Sequence, residues 1–166
     1  MSQGRILLVD DNVDLIDNLG EILEDEGYKV LRATSAASAR ARATEGFDVA
    51  LVDLRLPDGD GTELAAELHQ NGAEVVLLTG FASVESAAAA IRAGACAYLV
   101  KPCAVPELLL TVGQALRQVR LQTEREELAR RALLAEKLAA VGRLTAGLSH
   151  EIRNPLNAAA LQLSVL

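Results

Sequence analysis

Five short apolar runs, Ile6–Val9, Val30–Ala33, Val49–Val52, Val75–Leu78 and Tyr98–Val100, recur along the first part of the chain. They are continuous rather than alternating, as parallel strands covered on both faces must be. Between them Leu15–Glu26, Ala36–Glu45, Glu63–Gln70 and Val84–Ala93 carry apolar residues at helical spacing. Gly27, Gly46, Gly72 and Gly94 each follow a helical stretch, where a left-handed cap is wanted. Strand–helix alternation of this kind predicts an α/β fold, a doubly wound five-stranded parallel sheet with right-handed crossovers. With only two Tyr, two Phe and no Trp, the core has to be built from Val, Leu, Ile and Ala.

In such a sheet, ligands bind beyond the carboxyl ends of the strands. Every run except the second ends in a chemically useful residue: Asp10 and Asp11, Asp53, Thr79 and Lys101. Taken singly these have plain explanations. Asp10-Asp11 could cap a helix, Asp53 before Pro57-Asp58-Gly59 could belong to a turn, and Lys101 could be a solvated end residue. Taken together, at four strand ends, they make one site. Converging carboxylates repel one another and call for a cation, and hard oxygen donors suit Mg²⁺ or another divalent ion. Asp53 is then a nucleophile toward a phosphoryl group, Lys101 neutralises charge on the transferred oxygens, and the Thr79 hydroxyl can donate to the finished phosphate.

The segments Leu7–Asp11, Val52–Gly61, Leu78–Gly80 and Gly94–Pro102 resemble the response-regulator receiver family, with a flavodoxin-like fold, over about residues 4–120. The resemblance implies Asp53 as phosphoacceptor. It implies metal binding by Asp11, Asp53 and the backbone carbonyl of Arg55, with Asp10 helping through water. It implies Thr79 and Tyr98 as a switch pair, and a cis peptide at Lys101-Pro102. Gly80 stands where the family often has alanine, and Arg55 and Phe81 flank the phosphate position.

From Pro106 the pattern becomes one long helix, with no proline before Pro155. Leu134, Leu138, Val141, Thr145, Leu148 and Ile152 are spaced as a coiled-coil seam. Val112, Leu116 and Val119 read as the start of a similar seam whose phase breaks near 120–131. His150 lies two residues from Leu148 and from Ile152, about 200° round the helix, and so points away from the seam. Glu151 puts a base beside that nucleophile, Asn154 shares its face one turn on, and Pro155 removes a helical hydrogen bond. His69, by contrast, reads as a satisfied structural histidine. The run Leu138–Leu156, containing Ser149-His150-Glu151-Ile152-Arg153-Asn154-Pro155-Leu156, resembles the first helix of a histidine kinase dimerisation and phosphotransfer domain. That resemblance implies His150 as a second phosphoacceptor, Glu151 as acid/base, Asn154 in phosphatase action, and a homodimer formed through the C-terminal helix.

The expected organisation is a receiver over 1–120, a helical linker or coiled coil over 121–137, and a partial phosphoacceptor domain over 138–166. Such a hybrid-kinase fragment would need ATP only through a domain absent from this chain, and is not expected to autophosphorylate from ATP alone. Residues 1–102 carry 8 basic and 17 acidic side chains, net −9, and residues 103–166 carry 8 and 6, net +2. An acidic domain with no basic patch argues against nucleic acid as a partner. Cys96 and Cys103 form no C-x-x-C, and no run of residues is long and apolar enough for a membrane span, so a cytoplasmic location is expected. An upstream histidine kinase or phosphotransfer protein is the expected phosphate source, with the receiver acting as an input to the kinase. The alternative is a non-enzymatic receiver adaptor that dimerises through its C-terminal helix.

Overall fold

The computed structural model describes residues 4–81 and 83–163; the outermost three residues at each end, which the expected domain boundaries include, lie outside the described residues. The chain divides into two compact units, Met1–Leu121 and Gln122–Leu166. The elements in order are β1 (Arg5–Val9), α1 (Val13–Asp25), β2 (Lys29–Ala33), α2 (Ala36–Ala43), β3 (Val49–Asp53), β4 (Arg55–Leu56), β5 (Gly59–Asp60), α3 (Gly61–Gln70), β6 (Glu74–Thr79), α4 (Val84–Arg92), β7 (Ala97–Val100) and α5 (Val105–Leu163).

The main sheet is parallel, in the order β2-β1-β3-β6-β7. All five strands fall on the apolar runs. Because successive side chains of a strand point to opposite faces, each central strand feeds two cores. Ile6 and Leu8 pack with Ile16, Leu19 and Leu23 of α1 and with Leu108, Val112 and Leu116 of α5. Leu7 and Val9 pack with Ala36 and Ala39 of α2, Leu64 and Leu68 of α3, and Ala90 of α4. This is the doubly wound arrangement, and fully burying each of these leucines is worth roughly 1.5–3 kcal/mol. Gly27, Gly46, Gly72 and Gly94 all adopt positive φ. At Gly94 the need is also spatial, since a Cβ there would strike the His69 ring at 2.7 Å.

Several expectations are corrected. Val112, Leu116 and Val119 are not the start of a coiled-coil seam. Val112 and Leu116 are buried in the core against the sheet, and Val119 packs beside them. A helix lying on a sheet and a helix lying on a second helix show the same three-and-four spacing, so periodicity alone did not separate them. The helix itself is continuous across 120–131 and through Pro155, so the change of phase there moves the apolar stripe without breaking the helix. The cap of α1 is Asn12, whose side chain accepts from the Leu15 amide at 3.2 Å, which leaves the Asp10 and Asp11 carboxylates free of that task. The Pro57-Asp58-Gly59 turn closes a small antiparallel hairpin, β4–β5, which the periodicity did not show.

The second unit is helical. Leu128, Leu134, Leu138, Val141, Leu148 and Ile152 are each between 57% and 64% exposed.

Candidate functional site

The strand ends place the chemistry. Asp53 is the last residue of β3 and Thr79 the last of β6, while Asp10 and Lys101 follow β1 and β7 directly. Backbone bonds hold these ends together: Asp10 N–H to Ala33 O at 3.1 Å, Leu54 N–H to Leu78 O at 2.9 Å and Lys101 N–H to Thr79 O at 2.7 Å. Among the described residues the buried polar side chains are Asp10, Asp53 and Thr79. A core this apolar keeps its buried polar groups only where they are paired or used, and all three lie at the carboxyl edge.

Lys101 Nζ donates to Asp10 Oδ2 at 2.6 Å and lies 3.1 Å from Asp53 Oδ1. Asp10 Oδ1 also accepts from the Asn12 amide at 2.9 Å, and the Asp53 carboxylate accepts from the Arg55 amide. Burial pushes the Asp53 carboxyl above the ordinary aspartate range, against the hydrogen bond and charge of Lys101. Burial works against the Lys101 charge too, but the hydrogen bonds to Asp10 and Asp53 outweigh it and hold the lysine above its ordinary value. The Lys101-Pro102 peptide is cis.

Asp10, Asp11 and Asp53 each bring one oxygen to within 4.8 Å of the others. Three carboxylates against one ammonium leave two negative charges, which is the charge a divalent cation cancels. The donors are all hard oxygens, so the residues fit Mg²⁺. The Thr79 hydroxyl donates to Phe81 O at 2.9 Å and accepts from the Phe81 amide at 3.2 Å. It is thus committed to the loop after β6 rather than to an incoming phosphate. Tyr98 lies on β7 opposite Leu77 and is 42% exposed. A cleft of about 610 Å³ opens over the site, lined by Asp53, Arg55, Thr79, Phe81, Glu85 and Lys101 among others.

Two contributors were missed by the sequence reading. Gly61, the first residue of α3, sits so close that a Cβ there would collide with the Asp53 carbonyl oxygen. Asp58, read as turn chemistry, accepts from the Ala36 and Ala37 amides at 2.8 and 2.9 Å, so the hairpin beyond Asp53 caps α2. The Asp-Gly pairs around the turn were the only signal for either. His69 Nδ1 lies 3.3 Å from Ala73 O, a local structural contact as expected. In the second unit His150, Glu151 and Asn154 are exposed on α5.

Comparison with known proteins decides the family. Residues 6–113 match the model of the response regulator receiver domain. The chain belongs to that family. The receiver is 38% identical to the CheY-like receiver domain protein of Methanospirillum hungatei JF-1, with a TM-score of 0.67, 71% of this chain covered and 97% of that one. It is 33% identical to NtrX from Brucella abortus, solved in complex with ADP, with a TM-score of 0.72 over 77% of this chain and 30% of that one. Among curated relatives, the alginate biosynthesis transcriptional regulatory protein AlgB of Pseudomonas aeruginosa is 41% identical over 128 residues, 75% of this chain. The chain spans only 28% of that relative's length. Receiver domains work in two-component signalling through aspartate phosphorylation, take the phosphoryl group from upstream phosphodonors such as kinases, and bind Mg²⁺ through an acidic pocket, here the Asp10, Asp11 and Asp53 cluster. Among the described residues no helix is long and apolar enough to cross a membrane.

Proposed function

We propose that this chain is the receiver of a phosphorelay protein, that Asp53 accepts the phosphoryl group, and that its state regulates a histidine kinase whose own phosphoacceptor is His150. The observation that carries the first part is the Asp10–Lys101–Asp53 cluster, in which a half-buried lysine joins two buried carboxylates, with Asp53 and Lys101 lining an open cleft. An Asp53 carboxylate oxygen attacks phosphorus, the bond to the donor's leaving group breaks, and the leaving group departs with that electron pair. Lys101 stays charged between the carboxylates and is placed to neutralise the new phosphoryl oxygens. Asp10, Asp11, Asp53 and the Arg55 carbonyl would hold Mg²⁺, which when bound supplies further neutralisation of phosphoryl charge. Thr79 would exchange its bond to the Phe81 carbonyl for one to the phosphate, and with Tyr98 would form the switch pair.

The second part rests on Ser149–Leu156 and on the stripe Leu134–Ile152. His150, Glu151 and Asn154 would be phosphoacceptor, acid/base and water-positioning residue, in a homodimer paired through α5. The receiver would then be an input, taking phosphate from another protein. The curated relatives favour a second reading, in which the receiver belongs to a transcriptional regulatory protein and His150 is idle.

Incubation with acetyl phosphate and Mg²⁺, read by intact mass, tests the Asp53 assignment. One phosphate per chain is expected, absent from Asp53→Asn and absent without the metal. In a protein that joins this chain to an ATP-binding kinase domain, label from γ-labelled ATP that is lost in His150→Ala supports the kinase reading; unchanged label or none favours the second.

A further inference from the structure

The oxygens of the acidic pocket come from two separate strand exits. Asp10 and Asp11 follow β1, whereas Asp53 ends β3 and Arg55 opens the hairpin just beyond it. The register between β1 and β3 runs as far as Val9 opposite Val52. Past that point the two exits are anchored on opposite sides. The Asp10 amide donates to Ala33 O of β2 at 3.1 Å, and the Leu54 amide donates to Leu78 O of β6 at 2.9 Å.

One side chain joins the two sides again. Asp58, in the turn of the β4–β5 hairpin, reaches 22 residues back and accepts from the Ala36 amide with Oδ1 at 2.8 Å, and from the Ala37 amide with Oδ2 at 2.9 Å. Those amides open α2, which follows β2 after only Thr34 and Ser35. The helix already has its own cap. Ser35 Oγ accepts from the Ser38 amide at 3.1 Å, and Ser38 Oγ accepts from the Thr34 and Ser35 amides at 3.1 and 3.0 Å. Asp58 takes the two amides that this box leaves over. The base of the hairpin is fixed separately, by the Gly61 amide on Leu54 O at 3.0 Å and by Asp60 Oδ1 on the Thr62 amide at 2.8 Å. Asp58 is therefore the tie between the hairpin that carries Arg55 and the strand end that holds Asp10.

Resting on the Mg²⁺ reading of this pocket, we infer that Asp58 is a positioning residue for the metal, a bracket that keeps the Arg55 carbonyl and the Asp10–Asp11 pair at the separation one cation needs. Mg²⁺ makes the spacing matter, because it demands near-ideal octahedral geometry and short bonds to oxygen. A hairpin released at its turn still has its base, but its Arg55 carbonyl is no longer referred to the β1 side of the site. Groups that orient metal ligands without touching the metal commonly carry about 10–100-fold in affinity.

Calorimetric titration of Mg²⁺ into the full chain, with no phosphodonor present, tests the bracket. Asp58→Ala is expected to weaken Mg²⁺ binding about tenfold, and Asp58→Asn, which keeps one acceptor oxygen, to weaken it less. Ser38→Ala strips the capping box from the same helix and leaves the hairpin intact. It should lose stability to urea and keep the Mg²⁺ affinity of the unaltered chain. Labelling by acetyl phosphate gives a second readout: Asp58→Ala should reach the same final label on Asp53, at a correspondingly higher Mg²⁺ concentration. An Asp58→Ala affinity equal to that of the unaltered chain, or an equal loss in Ser38→Ala, would overturn the bracket alone. An unaltered chain that binds no Mg²⁺ would overturn the metal reading and the bracket with it.

Discussion

The two units bury their leucines in opposite ways. In the first, Leu7, Leu51 and Leu77 lose all contact with water and the polar residues that stay inside gather at one edge of the sheet. In the second, Leu138, Val141 and Ile152 stand 59–63% exposed along a regular stripe. The first is finished by its own chain. The second leaves its apolar stripe uncovered by its own chain, and an isolated helix gains little from its own hydrogen bonds. The lesson is that the Asp53 site can be read within one chain, whereas the role proposed for His150 has to be read in the context of whatever covers the stripe.

The comparison breaks first on side-chain deletion. Leu77→Ala is expected to lower the receiver's unfolding free energy by about 2–5 kcal/mol, the cost of a core cavity. Leu138→Ala should leave that same transition within about 0.5 kcal/mol. Urea unfolding followed by circular dichroism of the sheet measures both, and equal losses would mean that the units are not independent. A smaller effect is expected at Gly61→Ala, where the new methyl meets the Asp53 carbonyl. Overpacking of this kind costs about 1–3 kcal/mol, and phosphorylation by acetyl phosphate should slow as Asp53 is displaced.

Much of the first unit was legible in advance, and the physical reason is punctuation. Parallel strands buried on both faces leave unbroken apolar runs, and the residues that interrupt them at the site edge are Asp10, Asp11, Asp53, Thr79 and Lys101. The Arg55–Asp60 hairpin was not legible, because two-residue strands are too short to show a period. Glu85 was not either, because nothing local says that the first turn of α4 lines the same cleft as β3. The misreading at Val112 and Leu116 has the same root. Their spacing states that a helix face is covered but not by what, and the sheet, not a second helix, turned out to cover it.

The smallest expected effect concerns Asp58, whose carboxyl is held below the ordinary aspartate range by the Ala37 and Ala36 amides. A depressed folded value means that the contribution is complete above the unfolded pKa, about 3.9, and is lost as pH falls through the folded one. Asp58→Ala should therefore lower the urea midpoint at neutral pH, and the gap to the unaltered chain should close in acid. A gap that is constant with pH would show that the ionised cap is not its cause.

The most direct test of the difference between the units is amide hydrogen exchange along the whole chain at falling protein concentration. Amides of β1, β3 and β6 should keep the same protection at every dilution, because their partners are in the same chain. If α5 pairs as proposed, amides between Gln122 and Leu163 should lose protection as the protein is diluted, as those of a stripe covered by a second copy would. Protection of that helix that does not change with concentration, or strand amides that open together with it, would contradict the account.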